Sequence, residues 1–206
     1  MEVALDAFGA HGVEGASTRK IAAAAGVAMS AITYHYGSKQ GLYLAAADYI
    51  AERMRCEMAG TLDCGEPIAD GDIAGARAKI HAIVAYFSAK MMTKAVDDAS
   101  MFLVREQMQP TAAFDRVYAG LMGEMLERLV RLVGIATGHD DSPRIRIATL
   151  TLLGQVVVFR ASRATCLRVL GRETLDGPLV PEIQAAIAAN LDAILDRMIA
   201  QPEAAA

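Results

Sequence analysis

The sequence predicts an all-α protein of 206 residues. Apolar residues recur at the spacing of three and four that places side chains on one face of a helix, whereas the alternation typical of strands is nearly absent. Glycine and proline interrupt the periodic segments where helices would begin and end. We therefore expect helices joined by turns and no sheet.

The first 50 residues contain three short predicted helices and the start of a long one. We expect the first helix to stop at Gly12, the second to occupy about 17–26, and the third to run over 29–36. A long fourth helix should begin at Lys39 and reach about Leu62. The sequence thus predicts an N-terminal domain over 1–50.

The remainder, 51–206, is predicted to form a larger helical domain. Its likeliest loop spans Asp63 to Gly71, where glycine and proline cluster. Thr111 after Pro110, Ser142-Pro143 and Val180-Pro181 mark three helix starts. Proline is tolerated in the first turn of a helix, where its missing N–H costs least. The predicted helices are 72–94, 97–108, 111–136, 143–170 and 181–200.

The spacing of small, glycine and apolar positions over 17–36 predicts a helix-turn-helix, in which two helices cross steeply around a tight turn. Gly26 falls where a left-handed residue would end the first of the two helices. The buried side of the unit would be formed by Ile21, Ala22, Ala25, Val27, Ile32 and Tyr36.

The charge pattern of this segment favours DNA as a partner. The chain has 20 Lys and Arg against 24 Asp and Glu, yet no acidic residue occurs from Gly15 to Ala47, where Arg19, Lys20 and Lys39 stand. Carboxylates at a DNA contact would cost affinity, whereas each cation releases counterions from the phosphates. The alternative is an ordinary helical hairpin whose cations are solvated.

Several stretches are similar to known regulators. ALDAFGAHG (4–12), STRKIAAAAGV (17–27) and AITYHYGSKQGLYLAA (31–46) resemble the DNA-binding domain of the tetracycline-repressor (TetR) family of bacterial regulators. MQPTAAFDRVYAGLM (108–122) and LTLLGQVVVFRASRATCLRVLG (150–171) resemble the ligand-binding region of the CecR-type subgroup. The resemblance implies a helix-turn-helix domain joined by the long fourth helix to a regulatory and dimerisation domain.

The resemblance also implies roles for individual residues, and their chemistry agrees with these roles. Hydroxyl and cationic groups at helix starts, and aromatic groups of the third helix, can hold DNA phosphates. Short polar and apolar side chains on the third helix can read base edges. Thr33 departs from the tyrosine that is commoner in the family. The phosphate contacts would be Thr18, Arg19, Tyr34, His35 and Lys39, and the base-reading residues Met29, Ser30 and Thr33.

The middle helices contain flexible thioethers and aromatic rings, which can line an adaptable apolar pocket or simply fill the core. Polar groups in apolar surroundings accompany them, and each must find a partner: an effector, another residue of the pocket, or a second subunit. The candidate effector pocket comprises Tyr86, Met101, Phe102, Arg105, Tyr118, Met122, Gln155 and Arg160.

Two helices near the C-terminus predict a homodimer. The helix at 143–170 is apolar in nearly every direction, and the last helix has one apolar stripe that can cover only part of it. The simplest partner for the remaining surface is the same helix pair of a second chain. The candidate interface comprises Leu153, Val156, Val157, Ile187, Leu191 and Ile194.

Other chemistry finds little support in the sequence. Cys56, Cys64 and Cys166 lack the spacing of a metal site, so we expect free thiols, no metal and no cofactor. An all-α enzyme would have to use His81 or Cys166 as its reactive group, and neither has a paired base. We also expect no signal peptide, no membrane partner and a cytoplasmic location.

The sequence thus predicts a ligand-responsive transcriptional regulator. We expect a dimeric repressor that an unknown small-molecule effector releases from a palindromic operator in double-stranded DNA. The alternative is a DNA-architectural protein without effector control. Salt-dependent binding to one operator, against equal affinity for random DNA, separates the two functions.

Overall fold

The computed structural model describes residues 1–62, 68–93 and 97–200, and all regular elements in these ranges are helical. The predicted all-α class is therefore confirmed. The helices are α1 Glu2–Gly15, α2 Thr18–Ala24, α3 Met29–Tyr36, α4 Lys39–Leu62, α5 Ile73–Met92, α6 Asp97–Met108, α7 Ala112–Val117, α8 Gly123–Thr137, α9 Pro143–Ala161, α10 Arg163–Leu170 and α11 Leu179–Ala200.

Most helix starts agree with the sequence prediction because side chains cap them. Ser17, Thr111 and Ser142 accept hydrogen bonds from backbone N–H groups in the first turns of α2, α7 and α9. Pro143 occupies the first turn of α9. Of the predicted loop 63–71, residues 63–67 lie outside the described part of the chain, and the remainder is non-helical.

Helix α1 bends at Gly12, where the sequence predicted its end. Gly12 has φ 67° and ψ 178°, a conformation that side chains with a Cβ rarely adopt. One further turn continues to Gly15. The first helix is therefore interrupted at the predicted residue rather than terminated there.

The helix predicted over 111–136 is divided by a π-helical turn at Tyr118–Met122. At this turn Gly120 lies so close to α4 that an added Cβ would come within 2.6 Å of the Ala51 Cβ. The guanidinium of Arg55 in α4 also donates a hydrogen bond to the Gly120 carbonyl oxygen. The π turn thus brings a glycine against α4, which the sequence periodicity did not indicate.

The helix predicted over 143–170 breaks at Ser162, and α9 and α10 meet at 83°. Arginines beside the break bind the C-terminal end of α5. Arg160 donates to the carbonyl oxygens of Lys90 at 3.2 Å and Thr93 at 2.5 Å, and Arg163 donates to Met92 at 3.3 Å. These bonds satisfy carbonyl groups that a helix end leaves unpaired, and they favour the bend.

The described residues belong to two compact units. Unit 1 comprises Met1–Ala59 and Ala95–Glu124. Its core contains Leu5, Phe8, Ile21, Ile32, Tyr43, Ile50, Phe102, Ala113 and Val117 among its buried residues. The unit that contains the helix-turn-helix thus includes α6 and α7 and does not end at the predicted boundary of residue 50, because α6 contributes Phe102 to its core.

Unit 2 comprises Gly60–Lys94 and Met125–Ala206. Its core combines α5, α8, α9 and α11 through Ile80, Ile83, Leu129, Val133, Ile145, Leu152, Val156, Ile187, Leu191 and Leu195. Among the described helices none is by itself long and apolar enough to cross a bilayer, although the bent pair α9 and α10 meets that requirement jointly.

Candidate nucleic-acid interface

The core of the helix-turn-helix is built largely as the sequence predicts. Ile21 and Ala22 in α2 and Ile32 in α3 are buried, and Gly26 has the left-handed φ of 67° that ends α2. Two expectations were wrong: Ala25 is exposed because α2 ends at Ala24, and Val27 is 46% exposed rather than enclosed in the turn.

Helix α3 presents most of its side chains to solvent, since Ile32 is its only buried residue. Tyr34 is 85% exposed and Met29 is 42% exposed. Ser30, Thr33 and His35 are exposed as well. The structure thus places all five candidate DNA-contacting residues of α3 on its accessible surface.

The polar groups of α3 are available for hydrogen bonding. Thr33 Oγ1 lies 3.5 Å from the Met29 carbonyl oxygen, a long contact that leaves the hydroxyl able to bind elsewhere. The rings of Tyr34 and His35 stand edge to face with centroids 5.1 Å apart, so they form one aromatic ridge. Such a surface offers hydroxyl, imidazole and thioether groups to a groove.

The cations of this region differ in their partners. Within the described residues Arg19 and Lys20 are exposed and form no ion pair. Lys39 instead donates from Nζ to the Glu14 carbonyl oxygen at 3.1 Å, so it holds the end of α1 as well as adding charge. Thr18, the first residue of α2, is half-buried with its backbone at the helix N-terminus.

The effector-pocket candidates of unit 1 lie around α6 and the π turn. Phe102 is fully buried, whereas Met101 is 53% and Tyr118 41% exposed. Arg105 donates to the carbonyl oxygens of Gly9 and Ala10 in α1, at 3.4 and 3.3 Å. The candidate Met122 Sδ lies 3.9 Å from the Gln107 amide nitrogen.

The candidates of unit 2 are Tyr86, Gln155 and Arg160. Tyr86 is half-buried on α5 beside Phe87, and Gln155 Oε1 accepts a hydrogen bond of 2.9 Å from the Asn190 amide. Arg160 binds the carbonyl groups at the end of α5. Arg105, Gln155 and Arg160 thus each have a partner within the chain, one of the alternatives that the sequence left open.

Unit 1 contains a buried carboxylate that the sequence did not identify as a candidate functional residue. Glu106 is 1% exposed and accepts hydrogen bonds from the Tyr43 hydroxyl at 2.6 Å and from the backbone N–H groups of Thr111 and Phe114 at 3.0 Å. It therefore joins α4, α6 and the start of α7. The sequence feature that could have indicated this role is the position of Glu106, five residues before the helix-capping Thr111.

The candidate dimer residues separate into two groups. Val156, Ile187 and Leu191 are buried in the core of unit 2, so they do not reach the surface of the chain. Val157 is 47% exposed, and Leu153 and Ile194 are half-buried. Helix α9 is apolar on all sides because one face packs internally while another is exposed, not because the single chain buries it completely.

Fold and site together define a helix-turn-helix DNA-binding protein. Residues 1–46 match the model of bacterial regulatory proteins of the tetR family. Residues 76–198 match that of the C-terminal domain of the HTH-type transcriptional dual regulator CecR. The chain belongs to the TetR family of transcriptional regulators, with a C-terminal domain of the CecR type.

Individual relatives agree with this assignment. The HTH-type transcriptional dual regulator CecR of Shigella flexneri is 34% identical over 203 residues, which cover 93% of this chain and 87% of that protein. The HTH-type transcriptional regulatory protein RaaS of Mycobacterium tuberculosis is 42% identical over 66 residues, which cover 32% of this chain and 31% of RaaS.

Solved structures share the fold at low sequence identity. A TetR-like regulator from Rhodococcus sp. RHA1 has a TM-score of 0.65 at 19% identity, over 98% of this chain and 93% of that one. AibR, solved with isovaleryl coenzyme A and operator DNA, has a TM-score of 0.65 at 16% identity, over 93% of this chain and 98% of AibR. FadR of Bacillus subtilis, solved with stearoyl-CoA, has a TM-score of 0.59 at 14% identity, over 98% of this chain and 97% of FadR.

Proposed function

We propose that this transcriptional regulator is a dimeric repressor that binds a palindromic operator through α3 and leaves it when a small-molecule effector binds. The observation that carries the proposal is the exposed face of α3, flanked by Arg19 and Lys20 in a segment free of carboxylates. A helix with these properties can enter the major groove while neighbouring cations neutralise phosphates.

Dimerisation follows from the small size of this contact surface. One short helix and few cations provide too little contact for tight specific binding, whereas two copies can engage half-sites about one DNA turn apart. Exposed apolar residues of α9, such as Leu150 and Val157, supply a surface for the second copy. A palindromic operator is the expected target, because a two-fold protein matches two-fold DNA.

Effector control is supported by the kind of domain attached to the helix-turn-helix. AibR and FadR, which share this fold, were both crystallised with acyl-coenzyme A molecules. A molecule of this class that binds one state of the dimer better than the other would shift the dimer toward that state. Acyl-coenzyme A thioesters of short and long chain therefore belong in the first panel of effectors.

The proposal is tested by selecting bound fragments from random DNA and repeating the selection with each candidate effector. We expect one palindromic sequence, bound at least 10³-fold more tightly than random DNA and released by one effector class. Equal affinity for all sequences would instead indicate an architectural protein without effector control. Enrichment of one palindrome with no response to any effector would leave DNA recognition intact and refute the regulatory half of the proposal for the classes tried.

The dimer is tested by sedimentation of Val157→Glu, which places a charge on the exposed face of α9. We expect dissociation at micromolar concentration, because a buried unpaired charge is costly. Val169→Glu is the matched control, since Val169 is 79% exposed on α10. A wild-type monomer that binds its operator at full affinity would contradict the dimeric repressor.

A further inference from the structure

The start of α3 presents apolar side chains to solvent at three successive residues. Val27 is 46% and Met29 is 42% exposed, and Ala28 between them is exposed as well. Ala28 stands at the N-cap of α3 and forms no side-chain hydrogen bond. Serine, threonine, aspartate and asparagine are favoured at this position, because their oxygen accepts a hydrogen bond from the first turn. This end of α3 is therefore apolar where helix stability alone favours a polar residue.

Val27 is held in a fixed position by the turn that ends α2. Its N–H donates to the Ala22 carbonyl oxygen at 3.0 Å, and the Gly26 N–H donates to the Ala23 carbonyl oxygen at 3.2 Å. These two bonds, together with the left-handed Gly26, form a Schellman motif. An apolar residue in this place frequently packs against the end of its own helix, yet nearly half of Val27 stays exposed. Val27 thus offers a firmly placed apolar group to a partner.

Helix α3 offers no guanidinium, ammonium, carboxamide or carboxylate group. Its sequence, MSAITYHY, contains none of the six residue types that carry them. Guanine is most often read in the major groove by Arg or Lys, and adenine by Asn or Gln, through paired hydrogen bonds. The exposed hydroxyls of Ser30 and Thr33 can bond to either purine, so they discriminate less. Sequence selection by α3 therefore needs a further kind of contact.

The other candidate donors of this region lie away from the start of α3. Arg19 and Lys20 belong to α2, the helix that crosses the DNA backbone in a helix-turn-helix. Tyr34 and His35 follow Met29 by five and six residues, which places them about 7–9 Å further along the helix axis. The N-terminal residues of the second helix are those that meet base edges in this motif. Those base edges would therefore face apolar groups rather than hydrogen-bond donors.

Thymine is the base whose major-groove edge carries an apolar group, its 5-methyl. We propose that α3 selects its operator by contacting thymine methyl groups with Val27 and Met29. The inference rests on the proposed DNA-binding function and specifies the chemistry by which that function chooses a sequence. Each half-site should place thymine opposite the start of α3. 5-Methylcytosine carries the same methyl group, so it should be accepted at these positions more readily than cytosine.

Deoxyuridine tests the proposal, because it removes the methyl group of thymine and keeps every base-pairing and hydrogen-bonding atom. The selected operator is titrated by fluorescence anisotropy with one thymine at a time replaced, in one half-site. We expect affinity to fall about three- to fivefold at one or two thymines of the half-site, the factor that burial of one methyl group provides. At the same positions 5-methylcytosine should bind more tightly than cytosine by a similar factor.

Protein variants assign the methyl contacts to residues. Val27→Ala or Met29→Ala should bring the ratio of thymine to deoxyuridine affinity close to one at the position that the residue contacts. Arg19→Ala should weaken both operators alike and keep the ratio. Val169→Ala is the matched control, since Val169 is 79% exposed on α10, and it should change neither affinity. Unaltered circular dichroism and thermal midpoints show that each variant is folded.

Met29→Gln provides a gain of function. It supplies the carboxamide that α3 lacks, and a carboxamide pairs with the N6 and N7 atoms of adenine. A new selection from random DNA with this variant should therefore replace thymine by adenine at one position of each half-site. The remaining positions should stay as they are in the wild-type operator.

The possible results separate this inference from the proposed function. A deoxyuridine penalty that persists in Val27→Ala and Met29→Ala would assign the preference to DNA deformability and overturn the methyl contacts. A specific operator without any deoxyuridine penalty would also overturn them and leave the dimeric repressor standing. Equal affinity for all sequences would overturn the repressor and this inference together.

Discussion

The hydroxyl of Tyr43 in α4 donates a hydrogen bond of 2.6 Å to Glu106 in α6, 63 residues further along the chain. Both side chains are 1% exposed. The Tyr43 ring also lies between Phe8 of α1 and Phe102 of α6, with centroid distances of 4.9 and 4.6 Å. This contact joins α4 to α6 in the same core that buries Ile21 and Ile32 of the helix-turn-helix.

Replacing Glu106 should destabilise unit 1. Glu106→Gln keeps the shape of the side chain but exchanges a charged acceptor for an amide that cannot accept all its present hydrogen bonds. We expect a loss of about 2 kcal/mol in the free energy of unfolding, measured by urea denaturation. Glu173→Gln, an exposed change, is the control and should leave the midpoint unaltered. Equal midpoints for both variants would show that Glu106 contributes no net stability.

Tyr43 should make the protein sensitive to alkali. Burial, and then the hydrogen bond to Glu106, raise the pKa of the Tyr43 hydroxyl well above its usual value of 10.0. The unfolded chain therefore releases this proton at lower pH than the folded chain does. The stabilisation is complete below pH 10 and declines as the pH rises above it.

Tyr43→Phe tests whether Tyr43 causes the loss of stability at high pH. The variant should be less stable at neutral pH by about 1 kcal/mol, because Glu106 loses one donor. Above pH 10 the stability of the variant should also decrease less steeply than that of the wild-type protein. Tyr34→Phe is the matched control, since Tyr34 is 85% exposed. An unchanged alkaline slope in Tyr43→Phe would contradict the assignment.

Gly12 should resist substitution more strongly than Gly26. Both have φ of 67°, but a Cβ at Gly12 would lie 3.2 Å from Arg105 Nη1, whereas one at Gly26 would meet nothing within 4 Å. We expect Gly12→Ala to lower the free energy of unfolding by about 1–3 kcal/mol. Gly26→Ala should cost less, and the reverse order in thermal unfolding would refute the role of Arg105.

Arg19 and Lys39 should affect DNA binding differently. Arg19→Ala should weaken binding to all sequences alike and lower the salt slope by about one unit, without changing stability. Lys39→Ala should have the same effect on the slope and also destabilise the fold slightly, because its contact with the Glu14 carbonyl is lost. A salt slope that stays at the wild-type value in Lys39→Ala would assign Lys39 a purely structural role.

Thr33 is expected to read sequence. Thr33→Ala should change the preference at one base position and cost roughly 1–3 kcal/mol on the preferred site, with little effect on random DNA. The measurement is a titration against single-base variants of the selected operator. If specific and random DNA lose the same affinity, Thr33 contacts the DNA backbone instead.

Local features of the sequence determined a large part of this structure. The bounds of α3 and α4 agree with the prediction because Gly37 and Ser38 between them encode a break and a cap without help from distant residues. The helix-turn-helix and its exposed α3 were predicted for the same reason. Turn glycines, capping hydroxyls and apolar periodicity are all properties of short segments.

Only the tertiary structure decided the features that depend on residues far apart in the chain. The break at Ser162 has neither glycine nor proline, and the arginines beside it, Arg160 and Arg163, bind the end of α5. Glu106 became a buried acceptor because Tyr43 and α7 meet it in space. Periodicity showed that α9 is apolar all round, but it could not show which face packs internally, because that depends on where α5 and α11 lie.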